Sequence, residues 1–111
     1  MNRRKILDAY KQAEIDWSKP QCECHENNTH IGLCLYFSRK GYHGKLFSEI
    51  QKCWLKYATK NPNKHTYHFY FRGYTEKGRE QRLDAIRKVI KDLEQPTWIQ
   101  KFLNKYFKWK K

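Results

Sequence analysis

Three stretches of the chain carry apolar residues at three- and four-residue spacing, and this periodicity favours a fold built mainly from helices. The stretches are residues 3–17, 44–60 and 76–94. In each stretch the apolar side chains share one helix face, and charged side chains occupy the rest. A chain of 111 residues with three such segments is expected to form a single domain, residues 1–111, around one core.

The segment 29–41 is harder to assign, because it is apolar on nearly every side. Thr29 is suited to an N-cap, and Gly41 is suited to the position after a helix end. We therefore expect a helix here, and a central strand is the alternative.

Residues 65–74 alternate in polarity, with Tyr67, Phe69 and Phe71 on one side. This pattern is typical of an extended segment with one buried face. The predicted fold class is therefore mainly α, with one extended aromatic segment or short sheet, and α+β is the alternative.

The last residues, 96–111, predict a basic amphipathic C-terminal helix. We expect its apolar side to complete the core; an anionic membrane surface or a groove in a protein partner is the alternative. No run approaches the ~18 apolar residues of a membrane span, and the first residues lack the apolar stretch of a signal peptide. We expect neither a membrane partner nor secretion, and the sequence leaves the oligomeric state open.

The positive charge is concentrated in two parts of the chain. The formal net charge is +13. Residues 27–75 hold eight basic residues against Glu49 alone, and residues 95–111 hold five lysines and no acid. Residues 1–26 are balanced, and the mixed charges of 76–94 predict an ordinary solvated face. A surface that binds a polyanion requires a concentration of positive charge, which the two blocks 27–75 and 95–111 provide. The alternative is a basic, solvated surface without a specific partner.

The residues expected to bind nucleic acid are basic and aromatic side chains of these two blocks. Four lysines fall on one side of the helix predicted over 44–60, and an outward-facing group at 68–72 mixes rings with a cation, a combination that holds unstacked bases. No helix-turn-helix, zinc-finger, KH or RRM signature is present, so RNA is the expected ligand rather than the DNA major groove. The candidates are Arg39, Lys40, Lys45, Lys52, Lys56, Lys60, Lys64, His68, Tyr70, Arg72, Lys101, Lys105, Lys108, Trp109 and Lys110.

Candidate metal ligands are confined to the loop after the first helix, at Cys22, Cys24 and His25. The Cys22-x-Cys24 spacing is one residue short of a structural zinc pair, and there is no second pair. Cys34 and Cys53 fall on apolar helix faces, where thiols behave as small hydrophobes. We therefore expect no bound metal and no cofactor.

The distribution of acidic residues and histidines in the sequence gives little support for a catalytic function. Two-metal nucleases need several carboxylates, and the basic central block offers only Glu49. We expect a protein that is not an enzyme. One alternative is a small metal-independent ribonuclease that uses His68, Tyr70 and Arg72. The other is a protein-docking accessory factor without nucleic-acid contact.

Three motifs together resemble a group of small proteins encoded by phages and prophages: GLCLYF at 32–37, HFYFRG at 68–73 and REQRLDAIRKVIKDL at 79–93. That group has no assigned chemistry, so no functional residue is carried over. The resemblance implies a small accessory protein that acts in a bacterial cytoplasm. Proteins of this size and origin include inhibitors of host defence such as anti-CRISPR proteins, so the implied partner is RNA or a protein–RNA complex such as a CRISPR effector.

Overall fold

The computed structural model describes residues 2–60, 67–69 and 71–95, and at 59, 60, 67 and 68 it describes the backbone alone. The described part is mainly α, which confirms the predicted fold class. In chain order the elements are α1 (Arg3–Trp17), a short 3₁₀ turn (Gln21–Glu23), α2 (Leu33–Arg39), α3 (Gly44–Leu55), β1 (Thr59–Lys60), β2 (Tyr67–His68) and α4 (Glu76–Glu94).

Helices α1 and α4 form the largest helix–helix contact of the described residues, and both match the predicted boundaries. Each begins at a polar cap: Asn2 Oδ1 accepts a hydrogen bond from the Lys5 backbone, and Thr75 Oγ1 accepts one from the Gly78 backbone. They run antiparallel, because the start of α1 contacts the end of α4 and the start of α4 contacts the end of α1. Their facing apolar residues build the centre of the core.

Aromatic side chains fill much of this core. Tyr36 and Phe37 of α2 are 1 % exposed, and Tyr36 meets Trp17 edge to face with ring centres 4.5 Å apart. Rings bury large areas each, so a chain with few aliphatic residues still encloses one continuous core. The buried apolar residues are Ile6, Ala9, Tyr10, Ala13, Trp17, Leu33, Tyr36, Phe37, Ile50, Trp54, Phe69, Ala85, Ile86, Val89, Ile90 and Leu93.

The segment 29–41 is helical, which rejects the strand alternative, but the helix begins at Leu33 rather than after Thr29. Thr29 as an N-cap is therefore wrong: it is fully buried and its backbone N–H donates to Cys24 O at 2.8 Å. The predicted end is confirmed. Gly41 has φ +96°, and the N–H groups of Gly41 and Tyr42 donate to Ser38 O and Phe37 O, which is a Schellman motif.

Helix α3 ends at Leu55, so the helix predicted over 44–60 is wrong for its last five residues. The N–H groups of Tyr57 and Ala58 bond three residues back, to Trp54 O and Leu55 O, which tightens the last turn. The chain turns here because Tyr57 and Lys56 both reach Asp92 of α4. Periodicity within one segment does not reveal such a tertiary contact.

The extended aromatic segment is present where the structure describes it. Strand β1 pairs antiparallel with β2, with Thr59 opposite His68 and Lys60 opposite Tyr67. Phe69 is buried and stacks on Trp54 at 5.6 Å, as the predicted inward face requires, whereas Phe71 is 37 % exposed. The predicted C-terminal helix, 96–111, lies outside the described residues.

Candidate functional site

Two of the predicted nucleic-acid-binding lysines, Lys45 and Lys52, are exposed on α3. Seven residues make almost two full turns, so both project from the same side of the helix, about 10 Å apart along its axis. Ile50 and Trp54 on the opposite side are buried. Neither lysine has an ion pair within the described part of the chain, so both charges face solvent.

A groove of about 270 Å³ lies between the starts of α1 and α3 and contains a cation that sequence analysis missed. It is lined by Asn2, Lys5, Lys45, Leu46 and Glu49. Lys5 was not selected because residues 1–26 have no net charge. The fold places it beside Lys45, a pairing between residues forty positions apart that no local pattern indicates. We call Lys5, Lys45 and Lys52 the α1–α3 cationic surface.

Two other predicted lysines bind carboxylates of the protein itself. Lys40 Nζ lies 3.2 Å from the buried Asp16 Oδ2. Lys56 Nζ lies 2.6 Å from Asp92 Oδ2, and this hydrogen bond raises the pKa of the Lys56 amine. Their charge is partly neutralised within the fold, which makes them weaker phosphate ligands than Lys45 and Lys52.

Asp92 also accepts a hydrogen bond from the Tyr57 hydroxyl. Partial burial alone would raise the pKa of Asp92, but the hydrogen bonds from Lys56 and Tyr57 outweigh it and lower that pKa. Desolvation raises the pKa of the Tyr57 hydroxyl, and the hydrogen bond to Asp92 raises it further. The cluster of Lys56, Tyr57 and Asp92 holds the end of α3 on α4. Its pKa shifts favour a protonated amine, a protonated hydroxyl and an ionised carboxylate.

The two predicted arginines keep an exposed guanidinium. Arg39 donates to Asn28 Oδ1 at 3.2 Å, and Arg72 donates to Tyr74 Oη at 3.2 Å. Both acceptors are neutral, so the hydrogen bonds orient the arginines without cancelling their charge. The arginines therefore remain suited to an anionic ligand.

Arg79 and Arg82 show that the solvated face expected for 76–94 is wrong for its first turns, since each is 7 % exposed. Arg82 donates to Phe71 O and Gly78 O and lies 4.9 Å from the Phe69 ring centre. Burial lowers the pKa of Arg82 to about 10. These cations hold the fold together and do not enlarge the basic surface.

Nine of the predicted binding residues have side chains outside the described part of the chain. The structure describes only the backbone of Lys60 and His68, in β1 and β2. The others that lie outside the described residues are Lys64, Tyr70, Lys101, Lys105, Lys108, Trp109 and Lys110.

The loop between α1 and α2 brings together a different set of metal-type ligands from the one predicted. Cys24 and His25 lie beside His30, and one ligand atom from each is within 4.8 Å of the others. Cys22 is exposed and lies outside this group. Sequence analysis missed His30 because the turn that returns the chain to Cys24 does not follow from spacing alone.

Comparison with known proteins identifies no relative: no family model, no curated protein and no solved structure matches this chain. The resemblance to small phage-encoded proteins therefore stays a prediction. Among the described residues, no helix is both long enough and apolar enough to cross a membrane.

Proposed function

We propose that this protein is a non-catalytic basic protein that binds RNA or a ribonucleoprotein through the α1–α3 cationic surface. The observation that carries the proposal is the groove in which Lys5 and Lys45, from two different helices, meet with Glu49 as the single acidic lining residue. A phosphate in this groove would be attracted by two amines at once, and Lys52 provides a further cation along α3.

The distribution of the acidic residues supports the same conclusion. All eleven acidic residues lie between 8 and 94. Within the described residues four of them pair with cations: Glu14 with Arg87, Asp16 with Lys40, Asp84 with Lys88 and Asp92 with Lys56. These pairs leave the lysines of the α1–α3 cationic surface without a carboxylate partner within the described residues. Cations that outnumber the acidic residue on a concave surface focus potential and raise the local concentration of a polyanion.

A salt titration of RNA binding tests the proposal. A fluorescent single-stranded RNA should bind the protein in dilute buffer, and the affinity should fall linearly on a log–log plot against salt. The double variant Lys45→Glu/Lys52→Glu should weaken binding at least about tenfold. It should also reduce the salt slope by about 1.4, the value for two lost contacts to a single strand.

The matched control is Lys77→Glu/Lys91→Glu, which changes the net charge equally at two exposed lysines of α4. We expect this variant to weaken binding by less than about threefold, because long-range attraction between exposed charges is screened by salt. Equal weakening by both double variants would mean that net charge alone drives binding and would contradict the proposed surface. Failure of the unmodified protein to bind RNA would contradict the function itself.

RNA recovered after the binding assay decides between binding and cleavage. The proposal expects intact RNA in the presence of a chelator. Shortened fragments that disappear in the variant His68→Ala would contradict it and favour the metal-independent ribonuclease. Binding to host proteins without any dependence on salt or nuclease treatment would instead favour the docking factor.

The resemblance to phage-encoded proteins extends the proposal to a target, the guide-RNA complex of a host CRISPR–Cas nuclease. An inhibitor that imitates DNA would be acidic, so a chain of net charge +13 would have to compete for RNA or dock on an acidic patch. Adding purified protein to such an effector should reduce target cleavage, and Lys45→Glu/Lys52→Glu should restore it. Undiminished cleavage at excess protein would reject this target and leave RNA binding to be judged separately.

A further inference from the structure

The loop between α1 and α2 folds back on itself through its own backbone and side chains. Cys24 O accepts a 2.8 Å hydrogen bond from the Thr29 backbone, and Asn28 has φ +58° at the reversal. The Asn27 amide donates to Glu23 O at 2.9 Å, and Lys19 Nζ donates to Asn27 Oδ1 at 3.2 Å. These bonds bring residues 24 and 30 together, although they are six positions apart in the sequence.

The reversal places two imidazole rings face to face. The His25 and His30 ring centres are 4.1 Å apart and their planes differ by 18°. The imidazole nitrogen is the commonest metal ligand among protein side chains, and the reversal brings two such rings together. Cys24 Sγ lies 3.7 Å from His25 Nδ1, at the edge of the stack.

The tautomer of His30 follows from its hydrogen bond. His30 Nδ1 lies 3.2 Å from Cys24 O. A carbonyl oxygen can only accept, so Nδ1 carries the proton and Nε2 keeps a free lone pair. A backbone carbonyl that fixes the ring in this way is the usual outer partner of a histidine that binds a metal.

We propose that Cys24, His25 and His30 form a binding site for Zn²⁺ or a similar borderline-soft divalent cation. Thiolate and imidazole ligands select this class over Mg²⁺ and Ca²⁺, which prefer oxygen. Bond lengths of about 2.3 Å for Zn–S and about 2.0 Å for Zn–N at a tetrahedral angle imply a sulphur–nitrogen separation of about 3.5 Å. The 3.7 Å from Cys24 Sγ to His25 Nδ1 is within about 0.2 Å of this separation. The 4.8 Å outer limit of the cluster requires closure by more than about 1 Å, and one ring must rotate out of the stack because a metal lies in the plane of each imidazole that binds it.

The site uses three protein ligands and leaves one position for water. Cys24 and His30 are half-buried and His25 is exposed, so the ion has a protein side and a solvent side. On binding, the Cys24 thiol loses its proton to solvent and its sulphur bonds the metal as thiolate, while both histidines bind in neutral form. The bound ion would link the two ends of the reversal, independently of RNA binding.

Metal titration of the untagged full chain, reduced with a phosphine, tests the site. Co²⁺ should bind at one ion per chain, with a thiolate-to-cobalt charge-transfer band and the visible bands of a tetrahedral ion. Zn²⁺ should displace it and raise the melting temperature. We expect Cys24→Ser, His25→Ala and His30→Ala each to weaken Zn²⁺ binding at least about tenfold.

The matched control is Cys22→Ser, an exposed thiol two residues away, which should change the affinity by less than about twofold. His25 is exposed, so His25→Ala tests the ligand set without disturbing the core, and circular dichroism of each metal-free variant checks its fold. Absence of the charge-transfer band would overturn the proposal. So would a stoichiometry of one ion per two chains, or loss of binding in Cys22→Ser but not in His30→Ala.

Discussion

Arg3 and Arg79 bind opposite ends of the antiparallel pair formed by α1 and α4. Arg3, the first residue of α1, donates to Leu93 O at 3.0 Å and to Gln95 O at 2.8 Å at the end of α4. Arg79, in the first turn of α4, donates to Lys19 O at 2.6 Å just beyond the end of α1. Each helix therefore supplies a cation to the end of the other, where carbonyls without intrahelical partners and the negative end of the helix dipole favour positive charge.

Replacing Arg3 should loosen the end of α4. We expect Arg3→Ala to lower the free energy of unfolding by about 2 kcal/mol, because hydrogen bonds from a charged group to half-buried carbonyls are lost. Amide protons in the last turn of α4 should exchange at least about tenfold faster, measured by hydrogen exchange with mass spectrometry. Arg4→Ala, at the exposed neighbour, should leave both quantities unchanged, and an equal effect of the two would disprove the capping role.

Asp16 of α1 is a buried acceptor that joins α1 to α2, and its loss should be costly. It is 2 % exposed and accepts hydrogen bonds from the Tyr36 hydroxyl at 2.6 Å and from Gln12 Nε2 at 3.2 Å, beside Lys40 Nζ. Asp16→Ala would leave the buried Tyr36 hydroxyl without an acceptor. We expect a loss of about 3 kcal/mol in denaturant unfolding.

The control for that measurement is Asp8→Ala on the same helix, where the aspartate is exposed. Both substitutions gain the same helix propensity, of at most about 0.7 kcal/mol. Asp8→Ala should therefore be neutral or slightly stabilising. A loss at Asp16 no larger than at Asp8 would show that the buried carboxylate adds nothing to stability.

The protein should lose stability in alkali because two tyrosines must stay protonated. Burial raises the pKa of the Tyr10 and Tyr36 hydroxyls, which donate to Ile50 O and Asp16. A tyrosine hydroxyl whose pKa is raised in the folded state contributes its full stabilisation below the ordinary tyrosine pKa of about 10. This contribution is lost as the pH rises above that value. The free energy of unfolding should fall there by up to about 1.4 kcal/mol per pH unit for each tyrosine.

Unfolding curves collected between neutral and strongly alkaline pH provide the measurement. Tyr10→Phe should reduce the alkaline slope by one tyrosine's share and should lower stability at neutral pH by about 1 kcal/mol through the lost hydrogen bond. Tyr74→Phe, at an exposed tyrosine, should leave the slope unchanged. A slope that Tyr10→Phe does not reduce would assign the alkaline loss to other groups.

Gly78 is required by a close approach of the backbone. A Cβ at this position would lie 1.8 Å from Arg72 O. Replacing glycine by alanine inside a helix normally stabilises by about 1 kcal/mol, but here the contact must be relieved by a backbone shift. We expect Gly78→Ala to lower the melting temperature by about 10 °C or more. Gly32→Ala, where no atom lies within 4 Å of the added carbon, should shift it little; a similar drop in both would contradict the steric explanation.

The helices that sequence analysis predicted correctly are those whose signals are local. Periodicity alone was enough to predict α1 and α4, whose caps Asn2 and Thr75 act within a turn of their own position. Gly41, which acts equally locally, was enough to predict the end of α2. The incorrect predictions lie where a contact with another part of the chain sets the local structure. Leu55 ends α3 because Lys56 and Tyr57 bind Asp92, and Thr29 is buried against Cys24 rather than capping a helix.

The residues of the candidate sites also divide into those that the sequence pattern indicates and those that only tertiary contacts bring together. Charge arithmetic included Lys45 and Lys52, which the structure shows to be exposed, but it treated every lysine of a block alike and could not indicate that Asp16 binds Lys40. It missed Lys5, which only the packing of α1 beside α3 places next to Lys45. It also missed His30, whose neighbours depend on a left-handed residue at Asn28.

The amino-acid sequence by itself determined that the chain is mainly helical and strongly cationic, because periodicity and formal charge are properties of residues in order. Only the tertiary structure decided which cations meet solvent and which are bound inside the fold, as Arg79 and Arg82 are. The physical reason is that the state of a charge depends on burial and on the distance to carboxylates and carbonyls. Residues far apart in the chain set those distances.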